Sequence, residues 1–292
     1  MEDSRLVIGA ATDPGPVREQ NEDAIFFSDP PGADDDAPLL LAVADGMGGY
    51  QRGEVASRMA IDSLVERFNA HDTDDVPLML RQAFRQANER IFADGSAEGE
   101  HNMMGTTLVA AVLRGADLTI GNVGDSRGYL LRANRLNQVT KDHSLVAEQV
   151  AMGAMTSEEA RDSQHKNIIT RALGHRQKVE IDVFEITLLP DDRLLFSSDG
   201  LHDYVDDDEL VHILTSNPPD KAALAIVGRA IQGGSTDNVT ALCAWYAPVS
   251  ALEPPKPVEA PERDGTRLLM PALVLLGLII FIAIIGYVLF VA

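Results

Sequence analysis

The sequence predicts an α+β domain in which antiparallel sheets pack against helices, followed by a linker and a membrane-spanning helix. Three observations lead to this prediction. Strand-like stretches come in blocks separated by helix pairs, whereas a doubly wound parallel sheet alternates strand and helix regularly. A proline-rich segment follows at residues 247–267. An uncharged apolar run at residues 268–291 then ends the chain.

The first half of the domain shows two blocks of strands around one pair of helices. Short apolar or alternating runs between turn residues indicate strands. Apolar residues three or four positions apart indicate helices at residues 54–68 and from Pro77 to about Ile91. The strands are predicted at about residues 5–12, 24–28 and 39–44 before the helices, and at 106–113, 118–123 and 129–131 after them.

The second half continues with short helices and more strands. Thr156 is followed three residues later by Glu159, the spacing of a capping box at a helix start. Alternating or apolar runs indicate strands at residues 179–188, 194–197 and 239–245. Helical spacing indicates helices at residues 210–214 and 222–231. The globular part is therefore expected to cover residues 1–246.

Composition limits the classes of function. The net charge of −21 argues against binding to a nucleic-acid backbone, which needs clustered Lys and Arg. Cys243 is the only cysteine, which excludes an intrachain disulfide and indicates a reducing compartment. Because Cys243 lies in a strand-like run, we expect a buried and unreactive thiol.

The last 46 residues predict a membrane anchor. Five prolines among charges and small residues make residues 247–267 an extended linker. The apolar run at 268–291 exceeds the ~20 residues that cross ~30 Å of hydrocarbon as a helix. A buried core helix is the alternative. Arg263 and Arg267 precede the run, so the positive-inside tendency places the folded domain in the cytoplasm of a single-pass membrane protein.

Five short acidic clusters indicate a metal centre. They are Asn21-Glu22-Asp23, Asp45-Gly46-Met47-Gly48-Gly49, Gly124-Asp125-Ser126-Arg127, Ser198-Asp199-Gly200 and Thr236-Asp237-Asn238. Asp45, Asp125 and Asp199 each follow an apolar run, where a buried strand would bring a carboxylate to the end of a sheet. Carboxylates that lie close together repel and raise each other's pKa unless cations neutralise them. Hard divalent cations bind such oxygen ligands, so we expect more than one ion.

The order of these motifs resembles the type 2C metal-dependent serine/threonine protein phosphatases, the PPM family, over residues 5–246. The motifs that carry the resemblance are Arg18-Glu19-Gln20-Asn21-Glu22-Asp23-Ala24, Asp45-Gly46-Met47-Gly48-Gly49, Gly105-Thr106-Thr107, Gly124-Asp125-Ser126-Arg127, Asp142-His143-Ser144, Thr170-Arg171-Ala172-Leu173-Gly174, Ser198-Asp199-Gly200 and Thr236-Asp237-Asn238. Each motif alone is weak, because Asp-Gly pairs are common turns. The resemblance implies a four-layer αββα sandwich of two antiparallel sheets, and hydrolysis of phosphoserine or phosphothreonine by a metal-bridged hydroxide.

The resemblance also implies a role for each site residue. Two Mn²⁺ or Mg²⁺ ions are expected, with a third, weaker one as in bacterial members. The implied ion ligands are Asp45, which bridges both ions, the Gly46 carbonyl, Asp23, Asp199 and Asp237, with Glu22 behind them and Asp125 at the third ion. Arg18 matches the arginine that clamps the phosphate, which suits its planar fork of donors. Arg127 is expected to be a structural ion-pair partner.

One position departs from the family pattern. Some relatives have a histidine, proposed as general acid, where this chain has Met47. His143 is a candidate substitute, because the Asp142-His143-Ser144 motif opens the segment that forms a mobile flap in the family. A surface histidine, or a proton from metal-bound water, is the alternative.

The expected partners are phosphorylated proteins, in particular a Ser/Thr kinase or its substrates, together with the membrane. Nucleic acid is not expected. Two other functions stay open: a catalytically weak, membrane-tethered phosphoprotein-binding regulator, and a phosphatase for small phosphometabolites.

Overall fold

The structure is a computed structural model that describes residues 4–28, 37–48, 52–70, 73–97 and 104–252. Residues 1–252 group into one compact unit. The predicted span at 268–291 and the linker from residue 253 onwards lie outside the described residues. In the part of the chain that is described, no helix is both long and apolar enough to traverse a bilayer.

The described strands are all paired antiparallel. In chain order they are β1 (Ser4–Asp13), β2 (Asp23–Phe27), β3 (Leu39–Gly48), β4 (Met104–Thr106), β5 (Leu108–Arg114), β6 (Asp117–Val123), β7 (Arg127–Arg132), β8 (Arg135–Gln138), β9 (Asp182–Thr187), β10 (Arg193–Ser197) and β11 (Val239–Pro248). Within the described ranges, one sheet has the order β1-β11-β10-β7-β8. The other has the order β2-β3-β5-β6-β9, with β4 beside the end of β3.

The helices come mainly in pairs. They are α1 (Gly53–Asn69), α2 (Val76–Ala97), α3 (Leu145–Ala151), α4 (Ser157–Arg161), α5 (Asp207–Ser216), α6 (Pro219–Gln232) and α7 (Val249–Leu252), with a 3₁₀ turn at Asp199–Leu201. As predicted, α4 begins with a capping box between Thr156 and Glu159. Pro219 in the first turn of α6 suits a helix start, where its missing N–H has no partner to lose.

Three apolar clusters separate four layers. The first joins α1 and α2 to one face of the β3–β5 sheet, and the second lies between the two sheets. The third joins the other sheet to α5 and α6. Strand β3 serves two clusters because its side chains alternate between faces: Leu40 packs under the helices and Leu41 between the sheets. The predicted pair of antiparallel sheets flanked by helices is therefore confirmed.

Several boundaries differ from the sequence-based expectations. Strand β11 continues to Pro248 because β1 begins at Ser4, its pairing partner, and α7 follows. Residues 247–252, predicted as linker, thus belong to the folded unit. Strand β8 and helix α3 were not predicted, since β8 is polar and partly exposed and α3 has only seven residues. The predicted strand at 106–113 divides at Thr107 into β4 and β5.

Candidate metal centre

Strand pairing places the first two predicted ligands side by side. Asp23 is the first residue of β2, and it lies directly opposite Asp45 of β3 in the antiparallel register. Like charges opposite each other in a sheet are destabilising. This register therefore carries an electrostatic cost that a cation between the two strands would offset.

The other sheet contributes three carboxylates from a single edge. Asp199 follows the end of β10, and Asp237 precedes β11, the antiparallel neighbour of β10. Asp125 precedes β7, the neighbour on the other side, where Arg127 pairs with Ser197. Because antiparallel neighbours have opposite ends at one edge, these three side chains reach the same region. The predicted acidic clusters thus converge from both sheets.

The carboxyl groups perturb one another strongly. Burial, reinforced by Asp199 and Asp237, raises the pKa of Asp23 to about 7. Burial and the charge of Asp199 raise the pKa of Asp125 to about 8. Burial and the neighbouring charge of Asp237 raise the pKa of Asp199 to about 6, although a hydrogen bond with Asp45 lowers it. The pKa of Asp45 is raised well above its usual value by burial and by Asp23 and Asp199.

Two buried oxygens of this cluster point to a ligand. Asp23 Oδ1 and Asp125 Oδ1 are inaccessible to solvent and have no hydrogen-bond partner. Buried polar atoms in native proteins are almost always paired, so these two carboxylate oxygens fit the role of cation ligands. The donor set is entirely oxygen, which fits Mg²⁺ or Mn²⁺. Within the described ranges, however, no group of three or more Asp, Glu, His or Cys side chains is arranged so that it could hold one metal ion.

Hydroxyl groups fix the backbone of Asp45. Its N–H donates to Thr107 Oγ1 over 3.0 Å, and its carbonyl accepts from Thr106 Oγ1 over 2.8 Å. Thr107 Oγ1 is in turn 2.6 Å from Ser126 Oγ. The turn that carries Asp125 is therefore linked to the backbone of Asp45 through two buried hydroxyls. Thr106 and Thr107 belong to the Gly105-Thr106-Thr107 motif, and these contacts give that motif a structural role.

Glycines allow helix α1 to approach the predicted ligands closely. A Cβ on Gly46 would lie 2.1 Å from the Gly53 carbonyl oxygen, and a Cβ on Gly53 would lie 2.6 Å from Glu22 Oε2. Glu22 therefore lies against the start of α1, and burial raises its pKa. Its carbonyl accepts from the Gly46 N–H at 3.1 Å and from Ser57 Oγ at 2.6 Å. Glu22 thus supports the end of β3. Gly53 is a further site residue, and no motif in the sequence indicated it.

Asn238 organises the loop that carries Arg18. Its Oδ1 accepts from the Glu22 N–H over 2.8 Å, and its Nδ2 donates to the carbonyls of Pro14 and Gln20, both over 3.0 Å. The neighbouring Asp237 accepts a 2.7 Å hydrogen bond from Arg18 Nη2. The Arg18 side chain is 53% exposed and that of Asp237 is 41% exposed, so the guanidinium can also reach solvent.

Ser198 supports Asp23 from across the two sheets. Its hydroxyl donates to Asp23 Oδ2 over 2.7 Å and accepts from the Thr240 N–H over 3.0 Å. Ser198 and Asn238 each adjoin a predicted ligand in sequence. That adjacency was the only signal of their role, because their partners are 175 and 216 residues away.

Arg127 is a structural ion-pair partner, as predicted. Its Nε and Nη2 donate to Asp142 over 3.0 and 2.7 Å, and its Nη1 donates to Tyr129 Oη over 3.1 Å. The bidentate geometry neutralises Asp142 within the fold. Cys243 is also as expected: it is buried, and burial raises the pKa of its thiol to about 12.

His143 does not match the surface alternative. It is only 6% exposed, and burial and the nearby Arg171 lower its pKa. Its Nδ1 accepts from the Gly124 N–H over 3.0 Å, and its Nε2 lies 3.4 Å from Asp182 Oδ2. The alternative of a surface histidine is therefore wrong. With both ring nitrogens engaged, the side chain is also poorly placed to donate a proton to a leaving group.

A cavity of about 780 Å³ adjoins the carboxylates. Asp125 and Asp199 line this cavity, as do residues of helices α3 and α4. Lys166 and Asp203, which both line it, form a 2.6 Å ion pair. A cavity of this size next to a polar site is typical of a ligand-binding cleft.

Comparisons with known proteins identify relatives of this chain. A family model described as protein phosphatase 2C matches residues 12–149. The serine/threonine phosphatase stp of Listeria welshimeri is 40% identical over 238 residues, which cover 79% of this chain and 92% of that protein. The serine/threonine protein phosphatase PstP of Mycobacterium tuberculosis is 38% identical over 240 residues, covering 82% of this chain and 45% of that protein.

Solved structures show the same similarity. The crystal structure of the M. tuberculosis phosphatase PstP/Ppp has a TM-score of 0.75 at 37% identity, covering 83% of this chain and 99% of that one. The catalytic domain of PstP in complex with two manganese ions has a TM-score of 0.74 at 37% identity. That comparison covers 84% of this chain and 99% of that one.

Proposed function

This chain belongs to the protein phosphatase 2C family of serine/threonine phosphatases, and from that premise we propose how and where it acts. It hydrolyses phosphoserine and phosphothreonine at the carboxylate cluster, with two Mn²⁺ or Mg²⁺ ions and a third, weaker one. The similar PstP catalytic domain holds two manganese ions, which supports this choice of metal.

One observation carries the proposal. Carboxyl groups from both sheets meet with pKa values raised toward or above neutrality, and two buried oxygens among them have no partner. At an effective dielectric constant of about 20, two like charges about 4 Å apart repel by about 4 kcal/mol. Arg18 offsets part of this repulsion through Asp237, and bound cations would offset the rest.

The roles of the residues follow from their positions. Asp45 lies between Asp23 on the neighbouring strand and Asp199 from the other sheet, so it is the residue best placed to hold two ions. Asp237 and the Gly46 carbonyl complete the ligand set, and Glu22 supports them. When bound, the ions neutralise these carboxylates and activate a water molecule for attack on phosphorus.

Arg18 binds the substrate phosphate. Its guanidinium is half exposed and is held at the edge of the cluster by Asp237, whose hydrogen bond raises the pKa of Arg18. The planar fork offers two parallel donors to two phosphate oxygens, as a bidentate phosphate clamp requires. Asn238 holds the loop from which Arg18 projects.

The proposed location is the cytoplasmic face of a membrane. It is supported by the apolar run at 268–291 and by Arg263 and Arg267 before it. Tethering would raise the effective concentration of the enzyme toward membrane-bound phosphoproteins. A Ser/Thr kinase or its substrates are the partners that this arrangement favours.

The enzymatic part is tested with the full-length chain in detergent. We expect release of phosphate from a phosphothreonine peptide that depends on added Mn²⁺, and loss of that release in Asp199→Asn. Absence of Mn²⁺-dependent release would leave only the binding function. Faster release from small phosphometabolites than from the peptide would identify a different substrate class.

The location is tested by fractionation. The full chain should stay in the membrane pellet after alkaline washing, whereas a variant that lacks residues 268–291 should be released. Equal release of both would show that the apolar run is not an anchor.

A further inference from the structure

One histidine holds the backbone on which Asp125 depends. The His143 N–H donates to the Gly124 carbonyl over 3.0 Å, and His143 Nδ1 accepts from the Gly124 N–H over 3.0 Å. Both backbone polar groups of the residue before Asp125 are thus bound by the same residue. His143 is buried, so water cannot readily replace these two bonds.

The hydrogen-bond pattern determines where the imidazole proton lies. Because Nδ1 accepts from an N–H, the neutral ring carries its proton on Nε2. Asp182 Oδ2, 3.4 Å away, is the acceptor on that side. Arg171 Nη1 is 3.0 Å from Nε2, but its own hydrogens have acceptors in Asp182 Oδ1 at 2.8 Å and the Glu180 carbonyl at 3.5 Å.

The opposite end of the same turn is attached to the central pair of predicted ligands. Ser126 Oγ lies 2.6 Å from Thr107 Oγ1, which accepts from the Asp45 N–H. Gly124 itself has a φ of +106°, and a Cβ there would lie 2.5 Å from the Thr107 side chain. The turn therefore adopts a backbone conformation that favours glycine, and side chains hold it on both sides.

This turn carries Asp125, whose carboxylate is not fully hydrogen-bonded. Asp125 is 6% exposed, and its Oδ1 has no partner. Residues that orient a metal ligand influence affinity, and their substitution typically weakens metal binding by about 10–100-fold. His143, in the Asp142-His143-Ser144 motif, hydrogen-bonds Gly124 and so holds the backbone next to Asp125.

We propose that His143 is a positioning residue for Asp125. Its Nε2–H tautomer clamps Gly124 and ties the ion-binding turn to Asp182 at the start of β9. This inference rests on the proposed function, since it takes Asp125 as the ligand of the third ion.

Two isosteric substitutions separate the two ends of the imidazole. In His143→Asn the amide oxygen lies where Nδ1 was and still accepts from the Gly124 N–H, whereas contact with Asp182 is lost. In His143→Gln the amide reaches the position of Nε2 but leaves Gly124 without its acceptor. His165→Ala is the matched control, because His165 is an exposed histidine of the same segment.

Two measurements on the full-length protein do not depend on activity. The first is hydrogen–deuterium exchange at the Gly124 amide, by mass spectrometry with single-residue fragmentation. The second is Mn²⁺ binding, counted from the electron paramagnetic resonance signal of free ion. For His143→Gln we expect exchange at least about tenfold faster and a weakest-site dissociation constant about tenfold higher. His143→Asn and His165→Ala should stay within about threefold of the wild type on both.

The proposal fails if Asn and Gln behave alike, or if Gly124 exchange does not change in His143→Gln. A wild-type measurement guards against variants that do not fold: ¹⁵N chemical shifts of the imidazole should report the Nε2–H tautomer, and an Nδ1–H tautomer would overturn the proposal. If instead the wild type binds Mn²⁺ as expected but releases no phosphate, the proposed function fails and the clamp stands.

Discussion

Two buried aspartates of this protein have the same chemistry and opposite surroundings. Asp192 is 2% exposed and accepts from Arg132 at 2.9 and 2.5 Å, and from the Leu189 N–H at 2.7 Å. Asp125 is 6% exposed, lies near Asp199, and has an oxygen without a partner. The two side chains are similarly buried, but only the charge of Asp192 is neutralised by a bidentate guanidinium.

The difference separates structural from functional acids. A carboxylate with a bidentate guanidinium is complete within the fold, as at buried Asp192 and at partly buried Asp142 with Arg127. A buried carboxylate among other carboxylates is complete only when a cation binds. Substitutions should therefore have opposite effects in the two regions: loss of an acid costs activity in one and stability in the other.

The largest effect is expected for Asp45→Asn. We expect kcat/KM to fall by at least about a thousandfold, or about 4 kcal/mol, because the residue lies at the centre of the cluster. The metal-free protein should become more stable by about 1 kcal/mol, which raises its thermal midpoint by about 2–4 °C, because the substitution removes a carboxyl group whose ionised form is destabilised by burial and by its acidic neighbours. Steady-state kinetics and calorimetry with chelator check the two parts. A lower metal-free midpoint would show that Asp45 is not electrostatically strained.

The second effect is a pH dependence of the metal-free protein. The raised pKa values of Asp23, about 7, and Asp125, about 8, lie above that of an unfolded aspartate. The folded state therefore binds more protons, so the free energy of unfolding falls as pH rises. Between pH 6.5 and 8 we expect a loss of about 2 kcal/mol.

This window avoids an opposing contribution. Burial lowers the pKa of His143 and His202, so they make stability rise with pH only below the ordinary histidine value near 6.5. Denaturant titrations at several pH values measure the slope. Asp125→Asn should flatten it, and saturating Mn²⁺ should reverse it because the ions bind the deprotonated carboxylates. A slope that Asp125→Asn leaves unchanged would contradict this assignment.

The same contrast explains how far the sequence could be interpreted. The positions of Asp45 and Asp199 could be predicted because each follows an apolar strand that brings it to one end of a sheet. The hydroxyl of Ser198 and the amide of Asn238 could not, because nothing local indicates a partner on the opposite sheet. Similarly, β8 at Arg135–Gln138 has no apolar alternation, since it is a partly exposed edge strand that contributes little to the core.

A third test removes a neutralised acid. Asp192→Asn keeps the shape of the side chain but removes the negative charge that faces Arg132, and it weakens the two hydrogen bonds from that guanidinium. We therefore expect the free energy of unfolding to fall by about 2 kcal/mol. The activity of the protein that remains folded should stay within about twofold, since Asp192 lies outside the site. Urea unfolding gives the first quantity, and kcat/KM at low temperature gives the second. If Asp192→Asn were stable but inactive, Asp192 would not be a structural acid, and the proposed difference between the two regions would be wrong.

The smallest effect is expected where the two regions meet, at Arg18. This guanidinium pairs with Asp237 as a structural arginine would, but both side chains are about half exposed, so the pair itself contributes little to stability. Arg18→Lys keeps the charge and loses the fork, so kcat/KM should fall by about tenfold while the thermal midpoint changes by less than about 2 °C. Arg127→Lys is the matched substitution at a partly buried pair, and we expect it to lower mainly the stability of the protein. If Arg18→Lys lowered stability as much as Arg127→Lys and left phosphate release intact, Arg18 would belong with the neutralised structural pairs rather than with the phosphate site.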